Sequence, residues 1–399
     1  MKTITLALTI IISILCLTSC SGVSKNTTDN DMTVMAGMTD NNEVEKTLNL
    51  GKFSGIKSEV SLDIHYTQGS KRSVRISARQ DVIDQTDISV MDGVLVLKKK
   101  NDDPEYKNNN EKNKITMYLT APDINSLENT GIMGFRTGTF NSDGLLIRNK
   151  GILNLKTQDI HANGANGMQI HNSGKLNADV PTINATLMLV DNDGIMSLNN
   201  NDIKGGSLTI DNSGKIDLSA NVEGSSAKLK NSGISRMEGS LALTGDYDCT
   251  NSGKLTIEGG VKGATAELKN SGIYKMEGSF SLTDAYTYTN SGRSDITGNV
   301  TARTISMKNS GIDDKHGALK ADQLTMRTNG RSNYDMSFKG GDAQVNCSGI
   351  GSFVMALECR SIEIKSSGRI KVTLSGTADK TTFDGSGVSH IDTSKLNKF

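Results

Sequence analysis

One tripeptide, Asn-Ser-Gly or a near relative, returns along most of the chain. Its glycines run from Gly131 through Gly151, Gly174, Gly194 and Gly214 to Gly387, in steps of 19 to 23 residues. A period held this long marks a solenoid, in which each repeat is one coil that buries its apolar face only against its neighbours. The 399-residue length then signals one extended array instead of two or three globular domains.

Inside a repeat the apolar residues recur at every second position. Leu208, Ile210, Asn212, Gly214, Ile216 and Leu218 alternate with the polar Thr209, Asp211, Ser213, Lys215 and Asp217. That period is a strand with one buried and one wet face; a helix would scatter these residues around its axis. Leu145 to Leu155 and Met188 to Leu198 repeat the pattern. The expected fold is all-β: a right-handed parallel β-helix of about 14 coils, roughly 65 Å long at the usual strand spacing. Gly224, Gly239 and Gly278 are expected at turns.

One inward slot is polar. Asn fills it at 129, 149, 172, 192, 212, 231, 251, 270, 290 and 309, followed by Thr328, Cys347, Ser366 and Gly385. A lone buried amide is costly. A column of them lets each side-chain carbonyl accept from a neighbouring coil's amide, so Asn149, Asn172, Asn192, Asn212, Asn231, Asn251, Asn270, Asn290 and Asn309 are expected to form a ladder. The alternative is that they serve only as turn residues.

From Ile152 onward the outward residue after the repeat glycine alternates between Ile and a cation, ending in Val388. Lys175, Lys215, Lys254, Arg293, Arg331 and Arg369 are separated by Ile195, Ile234, Ile273, Ile312 and Ile350. The unit is therefore two coils. Gene duplication explains the alternation, and it avoids like charges on adjacent strands. The six cations are also a candidate binding stripe for a partner or a polyanionic glycan.

Before the repeats, Met1-Lys2 and the apolar run from Ile4 to Leu17 form an export segment, too short for a comfortable membrane span. It ends in Leu17-Thr18-Ser19-Cys20, which resembles a bacterial lipobox, with Cys20 as the lipidated residue. Residues 1–20 are thus a lipoprotein signal and 21–46 a polar tether. Residues 47–120 are a β-rich cap and 121–399 the repeats. Val60 to Tyr66, Val74 to Ile76 and Ile115 to Leu119 read as strands, and Asp92-Gly93 as a hairpin turn. Residues 101–113 read as an exposed loop. The cap and the polar tail from Thr393 to Phe399 would each shield an end of the stack.

Asp92-Gly93-Val94-Leu95-Val96-Leu97, Ala121-Pro122-Asp123-Ile124-Asn125-Ser126-Leu127 and the Ser-Gly coils that follow are jointly specific. From residue 47 to 399 the chain resembles the auto-transporter adhesin head GIN domain family of bacterial (Bacteroidota-like) lipoproteins. The resemblance implies a β-helix on a secreted or lipid-anchored envelope protein, and no catalytic residue. The chain departs from the family in using Asn-Ser-Gly where Gly-Ser-Gly is frequent.

Other chemistry is thin. Lys+Arg and Asp+Glu are 44 each, which excludes an ordinary basic nucleic-acid binder. The absence of Trp argues against a sugar site built on stacked indoles. Cys249, Cys347 and Cys359 are expected as buried small side chains. Lys275, Asp295, Asp314 and Asn333 fall on adjacent coils beside His316, the best acidic cluster for an enzyme of the polysaccharide-processing type. No metal or cofactor is expected. The reading is a lipid-anchored outer-membrane protein, facing the surface or the periplasm, that binds a glycan or an envelope or host protein without catalysis. A structural spacer and a polysaccharide-processing enzyme stand as alternatives.

Overall fold

The computed structural model describes residues 43–100 and 114–398. The export segment, Cys20, the tether up to residue 42 and the loop 101–113 lie outside the described residues. The described chain is a β-solenoid of about 14 turns, built on one continuous sheet of 32 strands.

A typical coil carries three short strands, such as Ile234–Glu238, Leu241–Leu243 and Tyr247–Asn251. Each pairs in parallel with its equivalent one repeat later: Ile234 with Lys254, Leu241 with Val261, Tyr247 with Ala266. Register is kept along the strands that flank the repeat glycines and shifts only at local irregularities such as Ala162/Met168 and Asn199/Asp202, so like positions stack into columns. Leu153, Leu176, Met196 and Ile216 make one such column, all buried. The chain is poor in aromatics, yet Tyr247, Tyr274, Phe280, Tyr286 and Tyr288 are concentrated in the centre of the core.

The alternating segment from Leu208 to Leu218 is not one strand. It breaks at Ser213 and Gly214 into Ile195–Asn212 and Lys215–Gly224. Alternation survives the corner, which is why the sequence does not reveal it. Gly278 sits at another corner with φ of 157°, in the range that favours glycine. Gly224 instead ends its strand, and the bend follows at Ser225.

Strands Gly55–Ser58 and Ser61–Gln68 are themselves a coil, stacked in parallel on Ser126–Asn129 and Ile132–Arg136. On their other side they pair in parallel with Val94–Lys99 and Ile115–Ala121. Beyond those strands the direction reverses. Thr86–Met91 runs antiparallel to Val94–Lys99 through a turn with Asp92 and Gly93 at φ of 50° and 76°. Ser73–Arg79 runs antiparallel to Ile115–Ala121, and Glu43–Leu48 to Ser73–Arg79. Residues 43–46, expected in the tether, therefore belong to a strand, because Val44 and Leu48 pack against the core. One short helix, Gln80–Asp84, buries Val82 and Ile83. At the far end His390–Lys398 pairs in parallel with Arg369–Gly385 and buries Leu396.

Candidate binding face

The corner that carries the stripe is fixed by two columns. The first is the repeat glycine. A Cβ on Gly214 would stand 2.1 Å from the carbonyl oxygen of Gly194, so only glycine lets the coils approach. The backbone closes the corner: Ser213 and Gly214 donate to Asn192 O at 2.9 and 3.0 Å, and Lys215 donates to Gly194 O at 2.8 Å.

The second column is asparagine. Asn149 Nδ2 donates to Asn172 Oδ1 at 2.8 Å, and Asn172 Nδ2 to Asn192 Oδ1 at 2.7 Å. The bonds continue coil by coil through Asn212, Asn231, Asn251, Asn270 and Asn290 to Asn309. Each amide also reaches two backbone carbonyls; for Asn192 these are Gly194 O at 3.2 Å and Lys215 O at 3.1 Å. The asparagines are thus both corner residues and a ladder, and their buried donors are used. Asn309 ends the run on the hydroxyls of Thr328 at 3.5 Å and Ser332 at 3.0 Å.

With the corner locked, the next residue must point outward in the same register every time. Ile152 pairs with Lys175, Lys175 with Ile195, Ile195 with Lys215, and the column continues unbroken to Ile350 and Arg369. Ile195, Ile234 and Ile273 are each 52% exposed, too open to be core residues. All six cations are exposed. Lys215 pairs with Asp217 at 3.1 Å. Lys175, Lys254, Arg293, Arg331 and Arg369 have no ion pair among the described residues.

Near the C-terminal end the stripe borders a groove of about 790 Å³, lined by Arg293, Arg331, Arg369, Lys371 and His390 with Asp314 as the acid. Gly351, paired between Ser332 and Ile370, also lines it. A second groove, of about 400 Å³, lies on the other side of the Asn-Ser-Gly corner against Lys308, Arg327, Cys347, Lys365 and Ser366. There the ladder has given way to smaller side chains.

Asp295 and Asp314 are adjacent across the strands, as are Lys275 and Asp295. Lys275 turns instead to Glu277, at 2.6 Å. Among the described residues no group of three or more His, Cys, Asp or Glu could hold a metal ion. The three cysteines are buried and unpaired.

A buried polar cluster escaped the sequence reading. Asp313 is fully buried and accepts from Tyr288 at 2.9 Å, from Tyr334 at 2.5 Å and from Ser294. Lys315 Nζ lies 3.5 Å from Asp313 Oδ1 and 3.5 Å from the Tyr288 ring centre, an ion pair without hydrogen-bond geometry. Burial pushes the Lys315 ammonium below its ordinary range, opposed by the Asp313 charge. Burial, then Asp313, pushes both tyrosines well up. The signal was present: Asp313 and Lys315 fall on the inward parity set by Asn309 and Gly311.

The family model described as "Putative auto-transporter adhesin, head GIN domain" matches residues 52–301 and 289–398. No curated protein matches the sequence. Among solved structures, a "putative adhesin" from Bacteroides fragilis is 13% identical at a TM-score of 0.21, over 88% of this chain and 96% of that one. A "putative adhesin" from Parabacteroides merdae is 12% identical at 0.26, over 88% and 96%. A "putative lipid binding protein" from Parabacteroides distasonis is 10% identical at 0.24, over 90% and 98%. The family match spans nearly all of the solenoid, and the chain belongs to this head GIN domain family.

Proposed function

We propose that the protein is a lipid-anchored binding protein of the bacterial cell envelope, of adhesin type and without catalysis, that presents the Ile and cation stripe to its ligand. The observation that carries this reading is the stripe itself: exposed isoleucines and cations in strict alternation on one column of a rigid stack. Exposed apolar side chains contribute little to the fold, and their regular placement suits a docking surface. The family description supports the adhesin class. Cys20 is the anchoring residue in this reading, and Ser21 directly after it is compatible with sorting to the outer membrane.

The test is adherence of intact cells to immobilised glycoprotein, with protease shaving to locate the protein. Accessible protein, and adherence lost on Lys215→Glu, Lys254→Glu and Arg293→Glu together, is the expected result. Protease protection in intact cells, with loss only after lysis, would leave a periplasmic spacer instead.

A further inference from the structure

We infer that the stripe takes a linear anionic polysaccharide that carries its charge once per disaccharide, lying along the stack axis and across the strands. The inference rests on the stripe being the binding face and adds the chemistry of the ligand.

Adjacent coils are one strand spacing apart, so cations two coils apart repeat at about 9.6 Å. That is the length of two pyranose rings in an extended chain. Each Lys or Arg then meets one acidic sugar, and the intervening Ile lies under the aliphatic face of the neutral one. From Lys175 to Arg369 the column holds six cations over about 48 Å. Asn333 and Ser352, in the same groove as Arg331 and Arg369, offer partners for sugar hydroxyls.

Duplication alone does not keep this pattern. Two residues further along the same strands lies the neighbouring outward column, which came through the same repeats. In the cation coils it reads Asn177, Asp217, Thr256, Asp295, Asn333 and Lys371, changing size and sign of charge. Within those same coils the stripe position is always Lys or Arg, and in the coils between it is Ile. Avoidance of like charges does not account for the difference, because the drifting column tolerates Asp295 beside Asp314.

Charge spacing argues against other polyanions. Double-stranded DNA carries a phosphate about every 3.4 Å per strand, out of step with a cation every second coil.

The test uses the full chain in nonionic detergent. The probes are hyaluronan oligosaccharides, with a carboxylate on alternate sugars; polygalacturonate, with one on every sugar; inorganic polyphosphate; and phosphatidylglycerol vesicles. Hyaluronan affinity should climb with each added disaccharide up to six, and the salt dependence should steepen with each charge engaged. Arg293→Glu, Arg331→Glu and Arg369→Glu together should lower it by about 100-fold or more, with a shallower salt dependence. Lys308→Glu, Arg327→Glu and Lys365→Glu, the same charge change on the other side of the corner, should leave it within about threefold. Equal binding of polygalacturonate or polyphosphate at matched charge number would overturn the match of spacing. Preference for vesicles would overturn the ligand class. If the stripe variant loses cell adherence while no probe binds, the face stands and this ligand fails; if adherence is also unchanged, both fail.

Discussion

Asn192 Nδ2 donates to Asn212 Oδ1 across 2.7 Å, one coil apart and out of contact with water. Asn192 also accepts from Asn172, so its amide is a link with neighbours on both sides. Replacing Asn192 by Ala strands the Asn212 acceptor, while Asn172 Nδ2 keeps Gly174 O and Ile195 O. The expected cost is about 1–3 kcal/mol, the usual penalty of an unsatisfied buried group. Asn309→Ala, where Thr328 and Ser332 still bond each other at 2.5 Å, should cost less. Denaturant midpoints and amide exchange at the corner measure the difference.

Gly214→Ala forces a methyl to within 2.1 Å of Gly194 O. Backbone of the preceding coil must move, so the loss should reach or exceed the roughly 1–3 kcal/mol of ordinary overpacking. Limited proteolysis should open this corner first. Gly51→Ala, with nothing within 4 Å of the new Cβ, is the matched control and should resist like the parent.

Removing either partner of the Asp313–Lys315 pair leaves a charge buried without its counterpart. Lys315→Ile or Asp313→Ser alone should lose about 3–5 kcal/mol. The double variant copies the preceding coil, where Ser294 and Ile296 hold these positions. It should lose much less than the sum, because the desolvated charges leave together. A double-mutant cycle by chemical denaturation gives the coupling.

Alkaline pH should unfold the protein. Burial pushes the Cys249 and Cys347 thiols from an ordinary 9.0 up to about 12. Burial, then the charge of Asp123, raises the Tyr66 hydroxyl from 10.0 to about 12. The folded chain therefore keeps protons that the unfolded chain releases. That stability is full below pH 9 and is lost as pH rises toward 12. Lys315 works the other way, since its lowered value favours the fold as pH rises toward 10.5. The buried thiols and tyrosines outnumber it. The melting temperature should fall steeply above pH 9, with a shallower slope in Cys249→Ala.

The period, the inward and outward parity and the alternating stripe were all legible in the sequence, because a parallel stack repeats one local rule at every coil. Strand alternation runs through Ser213 and Gly214, so the pattern gave the facing of each residue and concealed the corner between them. Asp313 and Lys315 sat on the inward parity and still went unnoticed, since nothing local announces three hydroxyl donors from Tyr288, Ser294 and Tyr334. Those donors come from three different coils.

Sequence by itself determined which residues face in, which face out and at what interval they return, since these follow from backbone geometry within a strand. Tertiary structure alone decided that residues 55–68 form a coil between strands that follow them in the chain, and that Ser73–Arg79 joins that end antiparallel to Ile115–Ala121, with Glu43–Leu48 antiparallel to Ser73–Arg79 in turn. Pairing order depends on which edges meet in space, and local residue pattern carries no record of it.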